Sequence, residues 1–284
     1  MSFAVRSDTT LGRLLARKQL PAIGAVVLLF NAMTGPGIPF TPACFGNPGV
    51  WPTVLLFVVF AGISSMSMLL IVEAMQAIPG NAAFQGVVEY ATLVNFYFGR
   101  WAHAAAQVFL YGAVQSNVCM SVVMAAQLTD HLLVAWAGKT CGLAVDGWKC
   151  VGEAGHGASP FGDEFMIFTL GLVVVVGIVM PLGFINLEDM RVQYGSFVLS
   201  VLILVQWSLS ASTYTFDRVK LAMPPSNSYS VVAGTIMLNL AATTIIPSWI
   251  NLKAKDVNVQ MTVWFSVAGA ALVYILVGLS STLL

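Results

Sequence analysis

The chain has 284 residues, of which 58% are hydrophobic and only 8% are Asp, Glu, Lys or Arg, with a formal net charge of zero. An average soluble domain carries roughly 25% charged residues, so this composition excludes a water-soluble globule. The balanced charge leaves no footprint for nucleic acid and points to no partner protein.

The chain reads as an N-terminal tail, residues 1–20, followed by one transmembrane domain, residues 21–284. The tail carries Arg6, Arg13, Arg17 and Lys18 and has no secretory-signal pattern. No residue between Lys18 and Glu73 is charged. One crossing needs roughly 20 apolar residues, so this stretch must hold two spans and a turn. The turn is Phe45-Gly46-Asn47-Pro48-Gly49-Val50-Trp51-Pro52, which sets the spans near 21–44 and 51–78. Pro79-Gly80-Asn81 ends the second span.

Gln85 to Gly99 is amphipathic, with Glu89 and Asn95 among aromatics, and reads as an interfacial helix. Arg100 and Trp101 open a third span, near 100–136. A loop rich in Gly and charge follows, from Ala137 to Asp163. Spans four and five are expected near 164–183 and 191–214, joined by a polar link from Ile185 to Met190. A second polar loop, Phe216 to Ser228, leads to span six near 229–250 and span seven near 257–284. The architecture expected is thus an all-α polytopic bundle of about seven spans.

The four cysteines form no CxxC pair, which argues against zinc. Cys141 and Cys150 share the 137–163 loop. They form a disulfide if that loop faces an oxidising compartment, and are two free loop thiols otherwise. Lys and Arg placement bears on this. The tail with Arg100, Arg191, Lys253 and Lys255 gives eight positive residues on one side. Lys139, Lys149, Arg218 and Lys220 give four on the other. The bias predicts a cytoplasmic N-terminus and an extracellular or lumenal cysteine loop.

The first span is not an ordinary membrane helix. It contains Phe30-Asn31-Ala32-Met33-Thr34-Gly35-Pro36-Gly37-Ile38-Pro39-Phe40-Thr41-Pro42, with three prolines and two glycines in eight residues. Each proline removes a backbone donor and clashes with the preceding turn. Unsatisfied backbone groups facing lipid cost several kcal/mol each, so a break here must face protein or a cavity. Midplane cavities lined by broken helices are where secondary transporters bind substrate. Thr34, Gly35, Pro36, Gly37 and Ile38 are therefore candidate substrate-binding residues, with the amides from Gly37 and Ile38 suited to a carboxylate. A simple proline kink is the bland alternative.

The segment from Asn31 to Ile38 resembles the Asn-Ala-x-x-Gly-x-Gly-Ile/Leu segment of the amino acid/auxin permease family. Its sodium-coupled neutral amino acid transporters are the most similar branch. Pro181-Leu182 with Tyr194-Gly195-Ser196 provides a second match. Ile246-Pro247-Ser248-Trp249-Ile250-Asn251-Leu252-Lys253 provides a third, resembling the family's Val-Pro…Glu-Leu-Lys segment. The resemblance implies a leucine-transporter-like fold of two inverted five-helix repeats, with spans one and six broken. It also implies that Asn31 is a ligand of a sodium ion or of the substrate. In span six the candidate break is Asn239-Leu240-Ala241-Ala242-Thr243-Thr244, before Pro247 and without the glycines of span one. Asn239, Thr243 and Thr244 join the substrate-binding candidates, an ordinary helix with back-bonded threonines being the alternative. Family members have about eleven spans, so the expectation is an N-terminal portion whose second repeat is incomplete.

Gln115 lies mid-span with Tyr111, Ser116 and Asn117, either lining the cavity or bonding between helices. Glu73 and His103 read as interfacial rather than as a proton path, and Asp130 and His131 as water-facing. No fixed charge flanks the first break, which suits a neutral zwitterion. The resulting expectation is a secondary active transporter, not an enzyme. It moves neutral amino acids with Na+ or H+ and needs no other cofactor. The membrane would be the plasma membrane or a vacuolar or lysosomal one. A seven-span receptor or channel-like protein without transport activity is the alternative. The receptor motifs Asp/Glu-Arg-Tyr and Asn-Pro-x-x-Tyr are absent, as are charge rings and a hydrolase Gly-x-Ser-x-Gly.

Overall fold

The computed structural model describes residues 20–35, 37–46, 49–84, 86–152, 159–162, 164–182, 190–212 and 229–283. Pro36, the basic residues of the tail, the 216–228 loop and the link from Ile185 to Asp189 lie outside them. Two compact units are described in turn: Met1–Val108 with Met190–Leu284, and Phe109–Asp189.

The chain is mostly helical. Among the described residues the helices are α1 (Ala22–Met33), α2 (Thr41–Gly46), α3 (Val50–Gln76), α4 (Tyr90–Ala137), α5 (Leu170–Leu182), α6 (Met190–Ser212), α7 (Tyr229–Asn239), α8 (Ile246–Leu252) and α9 (Val259–Leu283). Among the described residues five stretches are long and apolar enough to cross a membrane: Val50–Gln76, Tyr90–Ala137, Val192–Ser210, Val232–Leu252 and Val259–Ser281. Two apolar helices are shorter, Ala22–Met33 and Leu170–Pro181. The chain is accordingly a multi-pass integral membrane protein. Leu55, Val58, Ile63, Met66 and Leu70 of α3 are exposed, as lipid-facing side chains should be.

In the first unit, α9 packs on α1, α2, α3 and α6. Phe45, Phe57 and Tyr274 stack in sequence, with centroids 6.1 and 5.5 Å apart. This requires Gly278, because a Cβ there would overlap the Phe45 ring. Gly99 interrupts α4 with φ 82° and ψ −178°, a conformation open only to glycine. Across this kink the His103 ring nitrogen Nδ1 donates to the Ala91 carbonyl at 2.7 Å. In a straight helix those residues would lie about 18 Å apart, so the chain folds back and Tyr90–Phe98 is a helix of its own.

In the second unit the Gly- and charge-rich loop after Ala137 carries two strands beside the helices of a mostly helical chain. β1 (Thr140–Ala144), β2 (Gly147–Val151) and β3 (Met166–Thr169) form an antiparallel sheet in the order β2-β1-β3. The start of the expected span four is therefore strand, and its helix begins only at Leu170. Cys141 pairs with Cys150 in register, and a disulfide joins them. Asp130, expected to meet water, is 1% exposed. Its Oδ1 accepts from the Thr140 hydroxyl at 2.6 Å and from the Gly171 amide at 2.8 Å. It thus places a carboxyl group on the first turn of α5, the end that favours negative charge. Gly171 has no room for a Cβ against the Ala126 carbonyl.

Candidate functional site

Two helices of the first unit are broken, and the breaks meet. α1 ends at Met33, and Thr34 caps it by donating its amide to the Phe30 carbonyl at 2.9 Å. The residue before a proline is disfavoured from helix, so Gly35 is a natural stop. Helical geometry resumes as a single 3-10 turn, Ile38–Phe40, which passes into α2. The second break follows α7. The chain leaves the helix after Asn239, passes through a 3-10 turn at Thr243–Ile245, and re-enters helix at Ile246 with Pro247 in the first turn. Proline is tolerated there because first-turn amides lack an intrahelical partner anyway.

Two contacts fix how the broken helices lie. The Leu20 amide donates to the Leu252 carbonyl at 3.2 Å, and the Ala254 amide to the Leu20 carbonyl at 3.0 Å. The start of α1 thus sits beside the end of α8. At the other contact a Cβ on Gly37 would overlap the carboxamide of Asn239. The two helices run antiparallel, break against break.

Carbonyls freed by the interruptions find donors on other helices. The Tyr274 hydroxyl of α9 donates to the Met33 carbonyl at 2.6 Å. The Ser64 hydroxyl of α3 donates to the Leu240 carbonyl at 2.6 Å. Neither residue was selected from the sequence, where a Tyr and a Ser within apolar spans carry no distinguishing pattern.

The candidates separate as follows. Gly37 and Asn239 are brought together. Thr243 and Thr244 are half-buried in the second break. Thr34 is buried, but its hydroxyl donates back to the Phe30 carbonyl at 2.9 Å. The Ile38 amide makes a long 3.5 Å bond to the Gly35 carbonyl, and the Thr41 hydroxyl donates to the Gly37 carbonyl at 3.1 Å. The room expected for a carboxylate beside Gly37 is filled here by Asn239. Gln115 is exposed and belongs to the other unit.

Asn31 sits one turn before the first break. Its Nδ2 donates to the Gln193 carbonyl at 2.8 Å and to Gln193 Oε1 at 2.9 Å. Both of its hydrogens are therefore used on α6, and its Oδ1 is buried without a donor among the described residues. A buried acceptor left unmet costs about 1–3 kcal/mol, and a cation would satisfy it.

The helices around the breaks, residues 22–72 and 229–252, contain no charged side chain. The nearest cation in sequence, Lys253, is 7% exposed and lies 5.3 Å from the Phe84 ring centroid. Burial pushes its amine below the ordinary lysine value, with the nearby Asp256 acting in the opposite direction. Comparison of the chain with known protein families, characterised proteins and solved structures finds no match.

Proposed function

We propose that this chain is a secondary active transporter of neutral amino acids. In this reading the fold is the leucine-transporter-like inverted repeat, about seven spans are present, and the N-terminus is cytoplasmic. Substrate binds where the two breaks meet, and an ion, Na+ or H+, drives it. The observation that carries the reading is the apposition of Gly37 and Asn239, each at an interruption of an otherwise apolar helix. A paired interruption exposes backbone donors and carbonyls at one point, and a zwitterion has complementary groups to meet both. The absence of charge in the flanking helix sequences fits a substrate with no net charge. The Asn31-to-Ile38 resemblance supports the same assignment. The buried, donor-free Oδ1 of Asn31 supports coupling to a cation rather than uniport.

The test is uptake of radiolabelled neutral amino acids by the chain reconstituted in liposomes. An inward Na+ gradient and an inward H+ gradient are imposed in separate arms. Accumulation above equilibrium in one arm, abolished by an ionophore for that ion, is the expected result. Equilibrating, gradient-independent flux would favour the channel-like alternative, and no flux or binding of any amino acid would refute the reading.

A further inference from the structure

The second broken helix is held at its far end by bonds that the substrate reading does not use. Asn251, in the last turn of α8, sets its carboxamide against the peptide groups of Val88. Its Oδ1 accepts from the Val88 amide at 3.3 Å, and its Nδ2 donates to the Val88 carbonyl at 3.1 Å. Nδ2 also donates to Glu89 Oε1 at 3.4 Å, and the Ser248 hydroxyl donates to Glu89 Oε2 at 3.1 Å. A carboxamide offers a donor and an acceptor side by side. Asn251 therefore exchanges two bonds with Val88, as an opposite residue of an antiparallel strand would. Val88 is buried, so its peptide groups have little water to turn to.

Val88 and Glu89 belong to a strap that is fixed to α3. Buried Asn81 donates its Nδ2 to the Met75 carbonyl at 2.9 Å and accepts from the Gly86 amide at 3.0 Å. Beyond Glu89, the Tyr97 hydroxyl donates to the Ala74 carbonyl at 3.0 Å. Met75 and Ala74 lie in the last turn of α3. On its other flank the end of α8 is joined to Leu20, before α1, by two backbone bonds. The end of α8 thus has two attachments of different kinds. Side-chain bonds tie it to the strap on α3, and main-chain bonds tie it to the start of α1. Breaking the first set leaves α8 and the start of α1 joined as one piece. Between that attachment and the break at Asn239, the residues Ile246, Trp249 and Ile250 are fully buried, so the piece covers the break from this side. The closed arrangement also leaves Trp249 Nε1 buried without an acceptor among the described residues. An unmet buried donor disfavours the conformation that contains it.

We propose that Asn251 with Val88 and Glu89 is a latch, and that its release opens a path to Gly37 and Asn239 from the side where α8 ends. The proposal rests on the reading of the paired breaks as a substrate site. Asn251 is a positioning residue in it, acting through α8 and touching no substrate.

The test reads accessibility in the full chain in nanodiscs, with no substrate present. Ile246→Cys, in a background with Cys44→Ser and Cys119→Ser, is reacted with a charged methanethiosulfonate. Asn251→Ala should raise the rate about tenfold, the population shift expected when two bonds to a buried peptide are lost. Asn251→Asp sets a carboxylate against Glu89 and the Val88 carbonyl and should raise it at least as much. Glu89→Gln keeps an oxygen for Ser248 and should raise it less than Asn251→Ala. Val277→Cys, buried near the far end of α9, should react at the parent's rate in every variant. An unchanged rate at Ile246→Cys in both Asn251 variants would overturn the proposal. An equal rise at Val277→Cys would overturn it in favour of general loosening. Because no substrate enters these rates, absence of amino acid uptake by the parent would count against the transport reading and not against the latch.

Discussion

The Tyr274 hydroxyl donates to the Met33 carbonyl at 2.6 Å, at the point where α1 stops. A side chain of α9 thus closes the opening at the end of α1. The ring also stacks on Phe57 at 5.5 Å, so Tyr274→Phe removes the hydroxyl and keeps the stack. The Met33 carbonyl would then be buried without that donor, at a cost of about 1–3 kcal/mol. Apparent melting temperature in detergent should fall, and amino acid binding should weaken with it. An unchanged melting temperature would mean that this bond does not hold the break.

Gly37 and Asn239 should behave as a coupled pair. Gly37→Ala inserts a methyl group into the Asn239 carboxamide and should lower both stability and binding. Asn239→Ala removes the atoms that clash. The double variant should recover stability relative to Gly37→Ala, with a coupling of about 0.5–3 kcal/mol. Strict additivity of the two changes would contradict the apposition of the breaks.

The two breaks were unequally legible in the sequence. Pro36, Pro39 and Pro42 with Gly35 and Gly37 announce the first, because each removes a donor or permits a turn. The second is carried by Asn239, two threonines and one proline, residues equally at home in a continuous helix. What opens it is tertiary: α1 pressed against it and Ser64 bonding to Leu240. The Gly99 kink was marked by the change from amphipathic to apolar sequence. The sheet was missed because a loop rich in Gly and charge masked two five-residue strands joined at Val145-Asp146. Asp130 was misread because nothing local says that Thr140 and Gly171 converge on it.

Asp130 should be a structural linchpin of the second unit. Asp130→Ala leaves a buried hydroxyl and a helix-terminal amide without their acceptor, at about 1–3 kcal/mol. Asp130→Asn keeps an acceptor oxygen and should lose less. Hydrogen exchange should rise at residues 140–144 and 170–172 in the alanine variant and little in the asparagine one.

The Cys141–Cys150 bridge closes a nine-residue separation. It should contribute about 2–3 kcal/mol. Mass spectrometry of unreduced protein should find the two peptides linked, and Cys141→Ser with Cys150→Ser should lower the melting temperature. Two freely alkylated thiols in protein from its native membrane would contradict the pairing.

Lys253 gives the chain an alkaline signature. Its amine is depressed in the folded state by burial, below the ordinary value of 10.5. Between the two values the unfolded chain binds more protons, so stability should rise with pH there and be flat below. Lys253→Met should remove that rise. A stability profile that falls across the same window in the parent would reverse the assignment.

The central claim, that substrate binds where the breaks meet, is tested most directly by protection. Asn239→Cys is reacted with a small methanethiosulfonate, in a background with Cys44→Ser and Cys119→Ser, with and without a saturating neutral amino acid and Na+. The account predicts that the amino acid slows modification strongly and that Gly37→Val abolishes the protection. Equal rates with and without substrate, in protein shown to bind that amino acid, would place the site elsewhere.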